Sequence, residues 1–315
     1  MNRFQSSWLQ ELLLENIQDF SKNPKWFFPC MSQFNALEWL SLMNMTIKLN
    51  IPVHSQAILG KCWFANSENF PDEDSFSYFN KEIDGKQDIN INPFKSWLSN
   101  HFTKNQLDYL SYWHEYINQQ NDESAKMAYK SMVALIINYW VSNNKSGIKT
   151  IYRPDEILTL YYKRFKDFKK QYITKYKITE QSLDEISSED CSVVVFNPIW
   201  SDEDFCDDTS ILIFDAWEKG QPDLEEASKR IKESLKSNIV ELSSNTNYSF
   251  YKKMAENAKC AAFCWSGNGI SPQQYQRHFV EPVQKLFADR YKQSKLTYKS
   301  VDTSVDAYDY TLLFW

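Results

Sequence analysis

Six glycines in 315 residues is the feature that most narrows what this chain can fold into. Average usage would supply roughly 22. Glycine takes positive φ without strain and lets backbone approach a phosphate closely, so a chain this poor in it is not built around Gly-rich nucleotide loops. Most of its turns fall instead to Asn, Asp, Ser and Pro. The shortage of glycine is matched by an excess of rings: 11 Trp, 18 Tyr and 21 Phe. At this length one large or two ordinary domains are expected, with enough chain to bury a sizeable core. A hydrophobic share of 43% excludes wholesale disorder.

The formal net charge of −6 argues against a protein that coats nucleic acid by bulk charge, while leaving room for a local basic face. Six cysteines (Cys30, Cys62, Cys191, Cys206, Cys260, Cys264) are scattered with no Cys-x-x-Cys pair. They read as free cytosolic thiols rather than a disulfide framework or zinc site. The N-terminal segment lacks the apolar core and cleavage pattern of a secretory signal. The longest apolar stretch, Met132 to Val141, is interrupted by Asn138 and falls far short of the ~20 residues a membrane span needs. The expectation is a cytoplasmic protein with no membrane partner.

Residues 1–180 read as a mostly helical region. Ser7 and Gln10 form a capping box ahead of Leu9, Leu13, Ile17 and Phe20. Phe34 to Leu49 and Leu107 to Ile117 carry similar periodicity, and Ser124 to Val141 predicts a helix buried on most sides. Asn66 to Pro93 is polar and reads as an insertion or loop. Pro154-Asp155-Glu156 opens a further helix with Ile157, Tyr161, Phe165, Phe168 and Tyr172 as its apolar stripe. Between Tyr161 and Lys177 stand seven basic residues and one acid, Asp167. Lys163, Arg164, Lys166, Lys169 and Lys170 of this run have two readings. They form a solvated helix face, or a strip that contacts phosphates with aromatics interleaved for stacking.

Residues 181–315 change texture to α/β. Cys191 to Phe196, Ile211 to Phe214 and Cys260 to Trp265 read as buried strands, and Pro222 to Lys236 as an amphipathic helix. Ser271 caps another helix running to about Tyr291. Lys295 to Val301 and Tyr308 to Trp315 predict an antiparallel hairpin at the edge of a parallel sheet.

The most informative residues are Val195-Phe196-Asn197-Pro198-Ile199-Trp200, where a buried strand runs into Asn-Pro-x-aromatic at its carboxyl end, the place where open α/β sheets hold ligands. Here the sequence resembles the adenine-specific DNA methyltransferases, whose motif at this location is Asp/Asn-Pro-Pro-aromatic. The resemblance covers roughly residues 155–315. It implies a Rossmann-like, methyltransferase-type sheet ending in an antiparallel hairpin, with S-adenosylmethionine as cofactor and DNA as partner. By the same resemblance Asn197 and the Pro198 carbonyl would accept hydrogen bonds from the target amine, and Trp200 would stack on a flipped-out base.

The chain departs from that pattern in two ways. Ile199 replaces the second Pro, and residues 1–180 hold no Phe-x-Gly-x-Gly cofactor loop. The single Gly-x-Gly is Gly267-Asn268-Gly269. It is either a cofactor loop in permuted order or a strand-to-helix turn followed by the Ser271 cap. An active methyltransferase and a degenerate DNA-binding relative working beside a catalytic partner subunit therefore both stay open. From a different class, a non-enzymatic interaction module would use the aromatics as core and interface. Asp202, Glu203, Asp204, Asp207, Asp208 and Asp215 read as an acidic solvated loop rather than a Mg²⁺ site. The histidines His54, His101, His114 and His278 are too scattered to suggest a metal.

Overall fold

The computed structural model describes residues 25–31, 46–64, 76, 79, 90–145, 152–169, 175–197, 209–235, 245–267, 271–302 and 307–315. By contact the chain divides into two compact units. A sheet unit draws on Met1–Val53, Tyr172–Asp202 and Ser234–Trp315, and a helical unit on His54–Gln171 and Glu203–Glu233. The sheet unit therefore takes strands from both sides of residue 180.

Seven strands form one mixed sheet: β1 (Lys25–Met31), β2 (Thr46–Asn50), β3 (Lys175–Thr179), β4 (Cys191–Asn197), β5 (Ala258–Gly267), β6 (Ser294–Asp302) and β7 (Ala307–Phe314). Their order is β3-β2-β1-β4-β5-β7-β6. The first five are parallel to one another, and β7 runs antiparallel to both β5 and β6. The expected strands around 191–196 and 260–265 and the closing hairpin are present. The expected helix over 34–49 is not continuous, because residues 46–50 are β2. Ile47 and Leu49 alternate with Thr46 and Lys48 and are buried, a period of two that a helical template had absorbed. Three of the seven strands, β1, β2 and β3, arise in the first 180 residues, whose described elements are otherwise helices.

Burial on both faces explains why β4 is a run of β-branched residues. Val193, Val194, Val195 and Phe196 are each at most 1% exposed. Phe196 stacks on its register partner Phe263 of β5 with centroids 4.6 Å apart. Tyr251 of the helix Asn245–Ala255 meets both rings edge-on, at 4.9 and 5.0 Å. Phe279, Phe287 and Phe314 continue the cluster around Phe263. The abundance of rings noted in the sequence is here a packed layer between sheet and helices. The helix after Ser271 forms with a full Ser271–Gln274 capping box. It passes through a π turn over Gln276–Val280 before Glu281–Phe287, since Pro282 has no N–H to offer the preceding turn.

The helical unit is organised on the long helix Glu123–Lys145, which packs against His54–Phe64, Lys104–Asn118, Pro154–Lys169 and Thr209–Glu218. Met132 to Ile137 are all buried, as its pattern predicts. The expected strand at Ile211–Phe214 is instead part of the helix Thr209–Glu218. Ser210 to Phe214, Ala216 and Trp217 are buried, and a helix covered on most sides shows the same continuous apolar run as a buried strand. Gly220 ends that helix at φ +64. Its N–H reaches Trp217 O and that of Gln221 reaches Ala216 O, the pattern of a glycine stop.

Candidate functional site

Chain order along the sheet reverses between β1 and β4, which are direct neighbours. From β1 the chain builds outward through β2 and β3, then returns to build β4 and β5 on the other side. In parallel α/β sheets the carboxyl ends of the strands flanking such a reversal leave a crevice, because the connections on either side depart in opposite directions. The residues at that rim are Met31 and Asn197, register partners at the ends of β1 and β4. A register shift between Phe27 and Cys30, around Pro29, precedes them. Asn197 therefore ends a strand whose previous four residues are sealed in the core.

Of the other sequence-derived residues, Pro198, Trp200, Lys170 and Gly269 lie outside the described residues, as does the stretch from Asp202 to Asp208. Lys163 is exposed on the helix Pro154–Lys169, whose backbone also carries Arg164, Lys166 and Lys169. Gly267 is the last residue of β5 and pairs with Tyr308. Asp215 belongs to a helix, not to a strand end, and is bonded through Oδ2 to Arg230 Nη2 at 2.7 Å and Nε at 3.0 Å. Among the described residues no group of three His, Cys, Asp or Glu side chains could hold a metal ion, and no helix is long and apolar enough to cross a membrane.

The cofactor implied by the resemblance can be tested against these positions. A dinucleotide-type pocket needs glycine in the turn after the strand at the reversal, and an acid about 20 residues on to hold ribose hydroxyls. The segment that follows β1 in sequence, residues 32–45, contains no glycine. Where the acid is needed, at the carboxyl end of β2, stands Asn50, 1% exposed. Its Nδ2 donates to Gln181 O at 2.8 Å, and its Oδ1 accepts from Gln181 N at 2.8 Å and Thr179 Oγ1 at 3.0 Å. The amide ties the end of β2 to the chain leaving β3 through three hydrogen bonds. A neutral, buried side chain so bonded is not available to a ribose, so these residues do not fit the cofactor. The sequence signal for Asn50 is the alternating Thr-Ile-Lys-Leu-Asn run before Pro52.

The chemistry elsewhere is subdued. Cys30, Cys191, Cys260 and Cys264 are buried. Burial, with Asp190 and Glu189 nearby, pushes the Cys191 thiol up to about 12; burial alone does most of the same for Cys260, also to about 12. Such thiols are not nucleophiles near neutral pH. In the helical unit Glu218 bridges Lys130 Nζ at 2.7 Å and His54 Nε2 at 3.2 Å. Burial favours its neutral form, but the bonds from His54 and Lys130 outweigh it and hold the carboxyl at about 2. A carboxylate held so low is a poor general base; it is an anchor.

No family model matches this chain, and no curated protein matches it.

Proposed function

We propose that the chain is a degenerate relative of the adenine-specific DNA methyltransferases, with a Rossmann-like sheet of methyltransferase type, that presents its Asn-Pro edge to DNA without a working S-adenosylmethionine pocket. The observation that carries this reading is Asn197: the Asn-Pro-x-aromatic segment begins at the end of the strand bordering the order reversal, where a planar guest would be received. The closing antiparallel hairpin is the ending the resemblance implies. The glycine-free segment after β1 and the engaged Asn50 favour the degenerate form over the active enzyme. Methyl transfer in such an assembly would fall to a catalytic partner subunit. The buried thiols suit the reducing cytoplasm.

Two measurements test it. S-adenosylmethionine and its demethylated product should leave thermal stability unchanged; a ligand at about 100-fold its Kd would add about 2.7 kcal/mol, and a shift of that size would restore the active-enzyme reading. Trp200→Ala should weaken binding to an oligonucleotide with an unpaired adenine about tenfold more than to a perfect duplex. Equal losses on the two would assign Trp200 to the core and remove the base pocket.

The interaction-module reading keeps one specific support. Tyr298 of the edge strand β6 is 51% exposed, with Tyr308 6.1 Å away and Tyr310 6.2 Å away, a ring cluster of the kind that anchors protein partners.

A further inference from the structure

We infer that the amino end of β5 carries a second ligand site, independent of the Asn197 edge, that takes a phosphate ester bearing a planar group: a nucleotide. A shallow depression of about 480 Å³, largely open to solvent, lies there. It is lined by Asn257, Ala258, Lys259, Arg290, Tyr291, Lys292 and Trp315, three of them cationic and two aromatic. No side-chain carboxylate is among its lining residues. Of the acids near it, Asp190 faces Lys25 at 3.9 Å and Glu189 pairs with Lys48. Among the described residues none of the three lining cations forms an ion pair.

The site is also held in shape. Arg290 Nη2 donates to Ala258 O at 2.8 Å, and its guanidinium lies 5.3 Å from the centre of the Tyr291 ring, so the fork is oriented before any ligand arrives. The Tyr291 hydroxyl donates to the same Ala258 carbonyl at 3.2 Å. Trp315 is fixed by a reciprocal backbone pair with Gln293 and a further N–H from Lys292, each 3.1 Å. Three cationic residues around one depression favour an anion there. A single phosphate is matched by a preset guanidinium and two mobile ammoniums, and an aromatic wall beside it suits a base. Nine residue steps along β5 separate this end from Gly267, about 30 Å at strand rise, so the two sites are distinct and this inference does not rest on the methyltransferase-like reading.

The test is calorimetric titration of the full chain with adenosine 5′-monophosphate, inorganic phosphate, adenosine and a five-nucleotide single strand. The expected result is that adenosine 5′-monophosphate binds at least tenfold more tightly than phosphate or adenosine. Lys259→Gln with Lys292→Gln should cost about tenfold, and Trp315→Leu should reduce the nucleotide to the affinity of phosphate alone. If the five-nucleotide strand binds more tightly than the mononucleotide and loses affinity in the same variants, the phosphate ester belongs to a nucleic-acid strand rather than to a free nucleotide. The site is refuted if adenosine 5′-monophosphate binds no better than phosphate and the strand is indifferent to the double substitution. Both lysines are exposed, so the double variant retains its fold, which far-UV circular dichroism verifies.

Discussion

The sheet treats its polar groups in opposite ways at two places. At the carboxyl end of β2, where a parallel sheet offers a ligand position, Asn50 is buried, and its Oδ1 and one N–H are bonded to Gln181 and Thr179. At the amino end of β5, where such sheets hold no ligand by topology, three cations and two rings surround an open cavity without an ion pair among the described residues. The difference teaches that position in a fold is a prior and hydrogen-bond accounting is the measurement. A side chain whose donors and acceptors are satisfied by the protein is architecture wherever it stands. Charges gathered without partners are destabilising in the empty protein, and a counter-charge from outside relieves them.

The largest test of that contrast is Asn50→Asp. The substitution supplies the acid that a ribose site would require, but replaces the Nδ2–H donor to Gln181 O by a carboxylate oxygen facing a carbonyl. It should destabilise by about 3 kcal/mol at pH 7, the combined cost of a lost buried bond and an unpaired buried charge. Burial raises the new carboxyl above its unfolded value, so the sign is fixed. The deficit is full at high pH and shrinks as pH falls and the acid protonates, regaining a donor. Urea midpoints at pH 7 and pH 4 measure it. A variant as stable as wild type that also acquires affinity for S-adenosylmethionine would mean the end of β2 is an open pocket.

How far these places were legible in the sequence follows from the range of the signals. The β4 run, the β5 run, the closing hairpin and the Ser271 cap are local patterns, and each is present in the structure. Residues 46–50 and 211–214 misled for one reason. Over four or five residues, burial decides periodicity, and burial depends on partners far away in sequence: β2 lies between β1 and β3, and its Asn50 bonds Thr179 of β3, 129 residues on. The same distance hid the cavity. Lys259, Arg290 and Trp315 stand on three separate elements, and nothing in one window of sequence brings them together. The end of β4 at Asn197 is legible because its signal, a buried strand followed by Asn-Pro, fits within a window. The reversal of strand order beside it was not visible until β1 took its place.

Glu218 sharpens the contrast with a charge that is engaged by the protein. Its carboxyl sits at about 2, below the 4.5 of the unfolded chain, because His54 and Lys130 outweigh the burial that opposes ionisation. A depressed carboxylate contributes stability that is present above its unfolded value and lost as pH falls through the folded one. The advantage of wild type over Glu218→Gln should therefore be about 3 kcal/mol at pH 6. It should begin to shrink below pH 4.5 and be nearly gone by pH 2. A difference between the two proteins that does not change with pH would mean that packing, not the ion pairs, is what Glu218 provides.

The smallest effect is expected at the cavity itself, and its smallness is the point. Lys259→Gln with Lys292→Gln removes two exposed ammoniums that hold no ion pair among the described residues, so unfolding free energy in anion-free buffer should change by less than about 0.5 kcal/mol. The sign should favour the variant slightly at low salt, since like charges around one concavity repel, and the difference should fade near 1 M salt, where the screening length is about 3 Å. Titrating in inorganic phosphate should reverse the order: wild type gains stability through binding and the variant does not. A double variant clearly less stable than wild type in the absence of anion would show that the lysines, like Asn50, are already committed to the protein, and the two ends of the sheet would then differ in exposure but not in kind.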